Sequence, residues 1–264
     1  MTLLEIVCRK GIKHNKKITE LKAFLNKNIE IPIDKELFKS ALSIEDTVDI
    51  RKKMVYLILQ HCIVYDSTRS KKEEILSFKN VMKILDEAVN RFVTPQYFYK
   101  LINFQDQNRE TLLHQAVRNN NTDAIGAFLK YGANPLIENV NKQIPLDLAQ
   151  GYTKKVLIEC MKDQAQSKKE SARCNGLIGI ILGVFLGVGL GIGNALVPSM
   201  TIILCALAVS VLVAGIAVGV AIYLLSQDYK QAKSIEKAIE EAVNPQSSLV
   251  NHAEASEIVG NTRS

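Results

Sequence analysis

The chain has 264 residues and a net charge of +6, a length that holds one or two compact domains. Acidic residues are interleaved among the basic ones throughout, which excludes the concentrated basic stripe expected of a nucleic-acid-binding protein. Five cysteines (Cys8, Cys62, Cys160, Cys174 and Cys205) are odd in number and scattered without a C-x-x-C pair, the pattern of reduced thiols in an intracellular compartment and not of a disulfide framework.

No apolar run opens the chain. Met1–His14 carries Arg9, Lys10 and Lys13, so a cleaved secretory signal is not expected. Residues 1–93 read as a helical N-terminal region. Ile18, Leu21, Phe24 and Leu25 stand at helical spacing within Lys17–Asn28. Pro32 breaks that pattern, and Asp34 is placed to cap a short helix after it. Glu45–Tyr65 is apolar enough in its second half to be buried, Asp66–Lys72 reads as a loop, and Lys72–Phe92 puts Ile75, Phe78, Val81, Met82, Leu85 and Val89 on one helical face. His14 and His61 are far apart and match no carboxylate pattern, so they read as ordinary surface or core residues.

Residues 94–162 are organised differently. Thr94-Pro95 starts a helix whose apolar face is Tyr97, Phe98, Leu101 and Ile102. Thr111-Leu112-Leu113-His114 and Ala116 are answered 33 residues later by Ile144-Pro145-Leu146-Asp147 and Ala149. Between them stands Phe128-Leu129-Lys130-Tyr131-Gly132-Ala133-Asn134. A T-x-L-H-x-A segment followed by F-L-x-x-G-A-N at that period resembles the ankyrin repeat, over roughly residues 103–162.

The resemblance implies that Thr111 caps a first helix, that His114 bonds between its own turn and a neighbouring repeat, and that Gly132 supplies a left-handed C-cap. Ile125, Phe128 and Leu129 become the buried face of the second helix. Gln105–Arg109 and Glu138–Lys142 become projecting turns, or fingers. Departures stand at Leu112 for a usual Pro, at Ile144 and Asp147 for Thr and His, and at Arg109 and Lys142 where a turn glycine is common. About three repeats are needed for a self-sufficient stack, and two are visible. The helices of residues 45–102 therefore cover the first one, as degenerate repeats or as an unrelated cap.

Met161–Arg173 is polar and reads, with the linker taken as 163–175, as a connector. Cys174–Gln227 then contains no Lys, Arg, Asp, Glu or His. A membrane helix needs ~20 apolar residues, so the run predicts a transmembrane hairpin over 176–226, with spans near Gly176–Val197 and Ser199–Ser226 and a turn at Pro198. Lys168, Lys169 and Arg173 before it, with Lys230, Lys233 and Lys237 after it, predict an integral membrane protein of two spans with both termini cytoplasmic. Gly179, Gly183, Gly187 and Gly191 stand four apart, as do Ala206, Ser210 and Ala214, a small-residue spacing that permits close helix packing in lipid. Asp228–Val243 carries Tyr229, Ala232, Ile235, Ile239 and Val243 on one face and is expected to prolong the second span as a cytoplasmic helix over 227–243. Residues 244–264 are expected to be a disordered tail.

The expected fold class is thus all-α: a helical N-terminal region, a short ankyrin-like helix-turn-helix stack, and a two-helix membrane hairpin. No nucleophile–base pair, metal-ligand spacing or phosphate loop is present in the sequence, so neither an enzyme nor a cofactor is expected. Ankyrin-like surfaces bind proteins, and the resemblance nominates Gln105, Asp106, Asn108, Arg109, Gln115, Arg118, Asn119, Glu138, Asn139, Asn141 and Lys142 as partner-binding. The expected partners are a protein and the lipid bilayer, with a homo-oligomer through the hairpin as a further use of the glycine stripe. Few repeats, a glycine-rich hairpin and a Lys/Ile/Asn-rich composition are similar to ankyrin proteins of intracellular bacterial symbionts, some of which act on host proteins. The competing expectation is an oligomeric channel-forming or membrane-remodelling protein, against which stands the lack of any ionisable residue in the spans.

Overall fold

A computed structural model describes residues 2–9, 11–27, 32–42, 48–68, 77–89, 95–193 and 201–244. Regular structure among them is helical throughout, and the chain divides into two compact units, Met1–Met161 and Lys162–Ser264.

In the first unit, α1 (Leu3–Cys8) is closed by a reciprocal cap: Thr2 Oγ1 accepts from the Glu5 N–H, and the Thr2 N–H donates to Glu5 Oε2. That S/T-x-x-E signal lies in a stretch whose charges hide it from a reading by apolar content. α2 (His14–Leu25) and α3 (Lys35–Ala41) follow, and Asp34 Oδ1 caps α3 by accepting from the Leu37 N–H at 2.8 Å. α4 (Val48–Thr68) extends into the segment predicted as a loop. α5 (Phe78–Val89) buries Phe78, Val81, Met82, Leu85 and Val89, the face its spacing predicts, while Ile75 and Phe92 lie outside the described residues. α6 (Pro95–Ile102) inserts Leu101 and Ile102.

The repeat region supplies α7 (Leu112–Arg118), α8 (Thr122–Lys130), the single turn α9 (Pro145–Leu148), and the start of α10 (Gly151–Gly193). Packing is layered: α2 on α4 and α3 on α5, then α4 on α7 and α5 on α8. α4 has no single apolar face because α2, α3, α5, α6 and α7 all pack against it. Met54, Val55, Tyr56, Leu57, Ile58, Leu59 and Ile63 are all buried. Phe78 meets Phe128 edge to face at 4.9 Å, joining α5 to α8.

In the second unit, α10 continues from Lys162 and is followed by α11 (Thr201–Leu225) and α12 (Gln227–Val243). Residues 163–175, expected as a polar connector, are helical as part of α10. Gln164, Ala165 and Ala172 are buried, and the charges pair with α12: Lys168 with Asp228 at 3.4 Å and Lys169 with Glu236. Ser171 Oγ donates to Asp228 Oδ2 at 3.3 Å. α12 turns Ala232, Ile235 and Ile239 inward, and leaves Val243, expected on that face, exposed. It does not simply prolong α11. Ser226 Oγ accepts from the Tyr229 N–H and donates to the Tyr223 carbonyl, starting a new helix bent 50° from Val209–Leu225.

α10 and α11 approach to backbone contact at Gly176, where a Cβ would stand 2.9 Å from the Gly219 carbonyl oxygen. Gly179, Gly183, Gly187 and Gly191 lie in α10 and Ala206 in α11, the turn around Pro198 lies outside the described residues, and Ser210 and Ala214 are exposed. Among the described residues no single helix is long and apolar enough to cross a membrane, although Val209–Leu225 and Gln227–Val243 together meet the length and composition requirement as a bent pair.

Two glycines test the first unit in opposite directions. Gly132 has φ +88° with no atom within 4 Å of a built Cβ, so Gly132→Val adds backbone strain without a clash, costing about 1–2 kcal/mol. Gly126 lies inside α8, and a Cβ there would make an ordinary 3.8 Å contact with Cys160 Sγ, so Gly126→Ala gains up to about 1 kcal/mol of helix propensity. Thermal unfolding of the full chain in detergent should show the first variant melting several degrees lower and the second at or above the parent.

Candidate binding surface of the repeat region

The two fingers are built by one hydrogen-bond scheme. In the first, the Asp106 N–H donates to the Glu110 carbonyl and the Arg109 N–H to the Asp106 carbonyl; in the second, Asn139 N–H donates to Gln143 and Lys142 N–H to Asn139. The carboxylate or amide at the head of each turn organises it. Asp106 Oδ1 accepts the N–H groups of Asn108 and Glu110 at 2.9 Å each, and Asn139 Oδ1 accepts those of Asn141 and Gln143 at 2.9 and 3.0 Å. Arg109 and Lys142 therefore occupy the left-handed region, at φ 57° and 59°, where a glycine would be free of strain.

The fingers are tied to each other and to the helices behind them. The Val140 N–H donates to the Asn108 carbonyl at 3.0 Å. Gln105 Nε2 donates to the carbonyls of Arg109 and Glu138 at 2.8 and 3.1 Å. His114 is fully buried, and its Nδ1 accepts from the Thr111 N–H at 3.2 Å, which leaves Nε2–H to donate to the Gln143 carbonyl at 3.1 Å. In the second copy Asp147 Oδ2 takes over the first of these roles, accepting from the Ile144 N–H at 2.8 Å.

Glu110 is buried and satisfied by Gln115 Nε2 at 2.7 Å and by Arg118 Nη2 at 2.6 Å. The Tyr56 hydroxyl reaches Asp106 Oδ2 and the Glu110 carbonyl, both at 3.4 Å. Burial, then the nearby Asp106 carboxylate, hold that hydroxyl protonated far above its ordinary range. At the far edge of α4, Asn121 caps α8 through Ala124 and donates from Nδ2 to the Ile63 carbonyl at 3.1 Å.

The nominated residues thus separate by what their side chains already do. Asn139 is buried and spent on its own turn; Asp106, Gln105 and Gln115 are half-buried and bonded as above; Asn119 Nδ2 donates to the Gln115 carbonyl. Arg118 is exposed at one edge but paired to Glu110. Asn108, Arg109, Glu138, Asn141 and Lys142 are exposed with no side-chain bond among the described residues, and Val140, 54% exposed, sits among them. Behind the first finger, a cleft of about 510 Å³ lies against α2 and α4. Its lysines, Lys22 and Lys53, come from helices far away in sequence, and no local pattern marks them.

Burial lowers the His114 pKa below the ordinary 6.5, the Gln143 hydrogen bond opposing in part. The unfolded state then binds the extra proton, so stability falls as the pH drops below about 6.5 toward the folded-state pKa. His114→Asn keeps an acceptor for the Thr111 N–H and does not titrate. Urea unfolding at pH 7.5 and 5.5 should show a smaller pH-dependent loss in this variant than in the parent, beneath the carboxylate contribution common to both.

Residues 108–137, from the first finger through α8 and its cap, match the family model described as ankyrin repeat. No curated protein and no solved structure matches the chain. An ankyrin repeat is present at 108–137, and the match stops before the second finger.

Proposed function

We propose that the protein is a membrane-anchored protein-interaction module, an adaptor or effector that presents its finger surface on the cytoplasmic side. The observation that carries the interaction half is the row of unbonded side chains at the finger tips, Asn108, Arg109, Asn141 and Lys142, held on turns ordered by the side-chain oxygens of Asp106 and Asn139. An ordered turn with free side-chain donors binds without first losing loop entropy. The anchor rests on α11. From Val209 to Leu225 it has no charged residue, and Val209, Val213, Ile216, Val218, Val220, Ile222, Leu224 and Leu225 are 40–66% exposed. A helix apolar all round needs an apolar surrounding. Tyr223 and Tyr229 meet as a tilted ring pair at 4.6 Å where the apolar run meets α12, the amphipathic kind of residue that marks a membrane–water interface. Lys230 and Lys233 beyond them, with Arg173 on α10, support both ends facing the cytoplasm.

A second reading, a homo-oligomeric hairpin that remodels or perforates membranes, is favoured by one observation. Ser210 and Ala214, four apart and both exposed, leave a small-residue face of α11 open for another helix.

Expressed at full length, the protein should stay in the membrane pellet through alkaline carbonate extraction and leave it only with detergent. Recovery in the aqueous fraction as a monodisperse particle would end the anchoring half. Proximity labelling from an N-terminal tag should lose most of its protein neighbours on combined Ala substitution of Asn108, Arg109, Asn141 and Lys142. An unchanged neighbour list would end the interaction half.

A further inference from the structure

The first finger encloses a cleft of about 510 Å³ against α2 and α4, within the ~300–1,000 Å³ of ligand sites. Its apolar floor is the edge-to-face pair of Tyr56 and Phe104, with ring centroids 5.5 Å apart. Two cations line it, Lys22 from α2 and Lys53 from α4, and neither has a hydrogen-bond or ion-pair partner among the described residues. The one acidic lining residue, Asp106, is already committed: Oδ1 holds the N–H groups of the finger and Oδ2 accepts from the Tyr56 hydroxyl. With two lysines against one aspartate, the lining keeps a net charge of +1 over an aromatic floor.

Leu57 adds to the apolar floor, and the amides of Asn26, Gln60, Gln105, Gln107 and Asn108 make up the rest of the lining. Each amide offers both a donor and an acceptor, which matches the alternating N–H and C=O groups along an extended backbone. The lining contains no arginine fork of the kind suited to bidentate phosphate contacts.

We propose that this cleft binds an extended, acidic peptide segment of the partner protein, with its carboxylates on Lys22 and Lys53 and an apolar side chain on the Tyr56–Phe104 floor. The proposal rests on the interaction-module reading and names the chemistry of the partner at a cleft that meets the finger tips at Asn108.

Full-length protein in detergent, immobilised and panned against a random dodecapeptide phage library, tests it. The selected peptides should be enriched in Asp and Glu. Their affinity should fall at least about tenfold in Lys22→Glu/Lys53→Glu, and should weaken with added sodium chloride. Both lysines are at the surface, so an unchanged far-UV spectrum and melting curve checks that this variant folds. A selection without acidic bias, or acidic peptides indifferent to the double substitution, overturns the proposal. So does displacement of the peptides by inorganic phosphate at constant ionic strength, which would mark a simple anion site. Peptides that instead lose binding in Arg109→Glu/Lys142→Glu leave the interaction module standing and the cleft refuted. No selected peptide at all counts against both.

Discussion

A repeat that touches only its neighbours leaves an apolar flank at the end of the stack, and covering that flank is the constraint on which the first unit depends. α4 answers it. Its apolar residues are buried on several sides because five helices pack on it at once: α7 of the repeat, and α2, α3, α5 and α6 around it. Burying one Leu or Ile side chain contributes about 1.5–3 kcal/mol, so a helix with seven apolar residues inside is a larger stabilising element than any cap or ion pair nearby. The polar contacts then fix register. The Tyr56 hydroxyl reaches the root of the first finger, and the Ile63 carbonyl receives Asn121 at the start of α8. Both ends of the repeat unit are thus keyed to the same helix.

α5 packs on α8 as α4 packs on α7, and α2 packs on α4 and α3 on α5 in turn, so helices are layered well beyond the matched residues. That order was not legible in the chain. What marks an ankyrin unit in sequence is its turn chemistry: His114 and the Gly132 corner have the local roles the resemblance implies, whereas the Thr111 side chain makes no cap bond and meets His114 Nδ1 instead. The N-terminal helices are joined by segments without those residues, so only their apolar spacing could be read. Spacing predicts a helix and its buried face, as at Phe78–Val89, but not its neighbours.

The misreadings have a common cause. Residues 163–175 look like a solvated connector because their partners lie some 60 residues away: Lys168 finds Asp228, and Ala165 and Ala172 contribute small side chains to a helix surface. Asn139 looks like an exposed binding residue because loop asparagines usually are, yet two backbone N–H groups require its side-chain oxygen. Asp106, at the equivalent place 33 residues earlier, carries the same information, so comparing the two fingers position by position would have separated turn-builders from free side chains. The bend at Ser226 was hidden by the apolar run before it, although Ser226 was available as a helix cap.

The two units handle charge in opposite ways, and that contrast bears on the proposed function. In the first, some charged side chains are drawn into structure: Glu110 is buried against Arg118 and Gln115, and others stand exposed around the helices and at the finger tips. In the second, charge is sorted along the length of the helices. Lys168, Lys169, Asp228 and Glu236 pair at the polar end, the Tyr223–Tyr229 contact comes next, and beyond it the remainder of α11 carries none. A helix designed for water distributes charge around its circumference so that one face stays wet. One that sorts charge along its axis has a polar end and an apolar end, which is the symmetry of a bilayer leaflet and not of a soluble core. The proposed anchor accounts for the exposure of Val209, Val213 and Leu225, since in that reading lipid supplies the apolar surrounding that the chain itself does not.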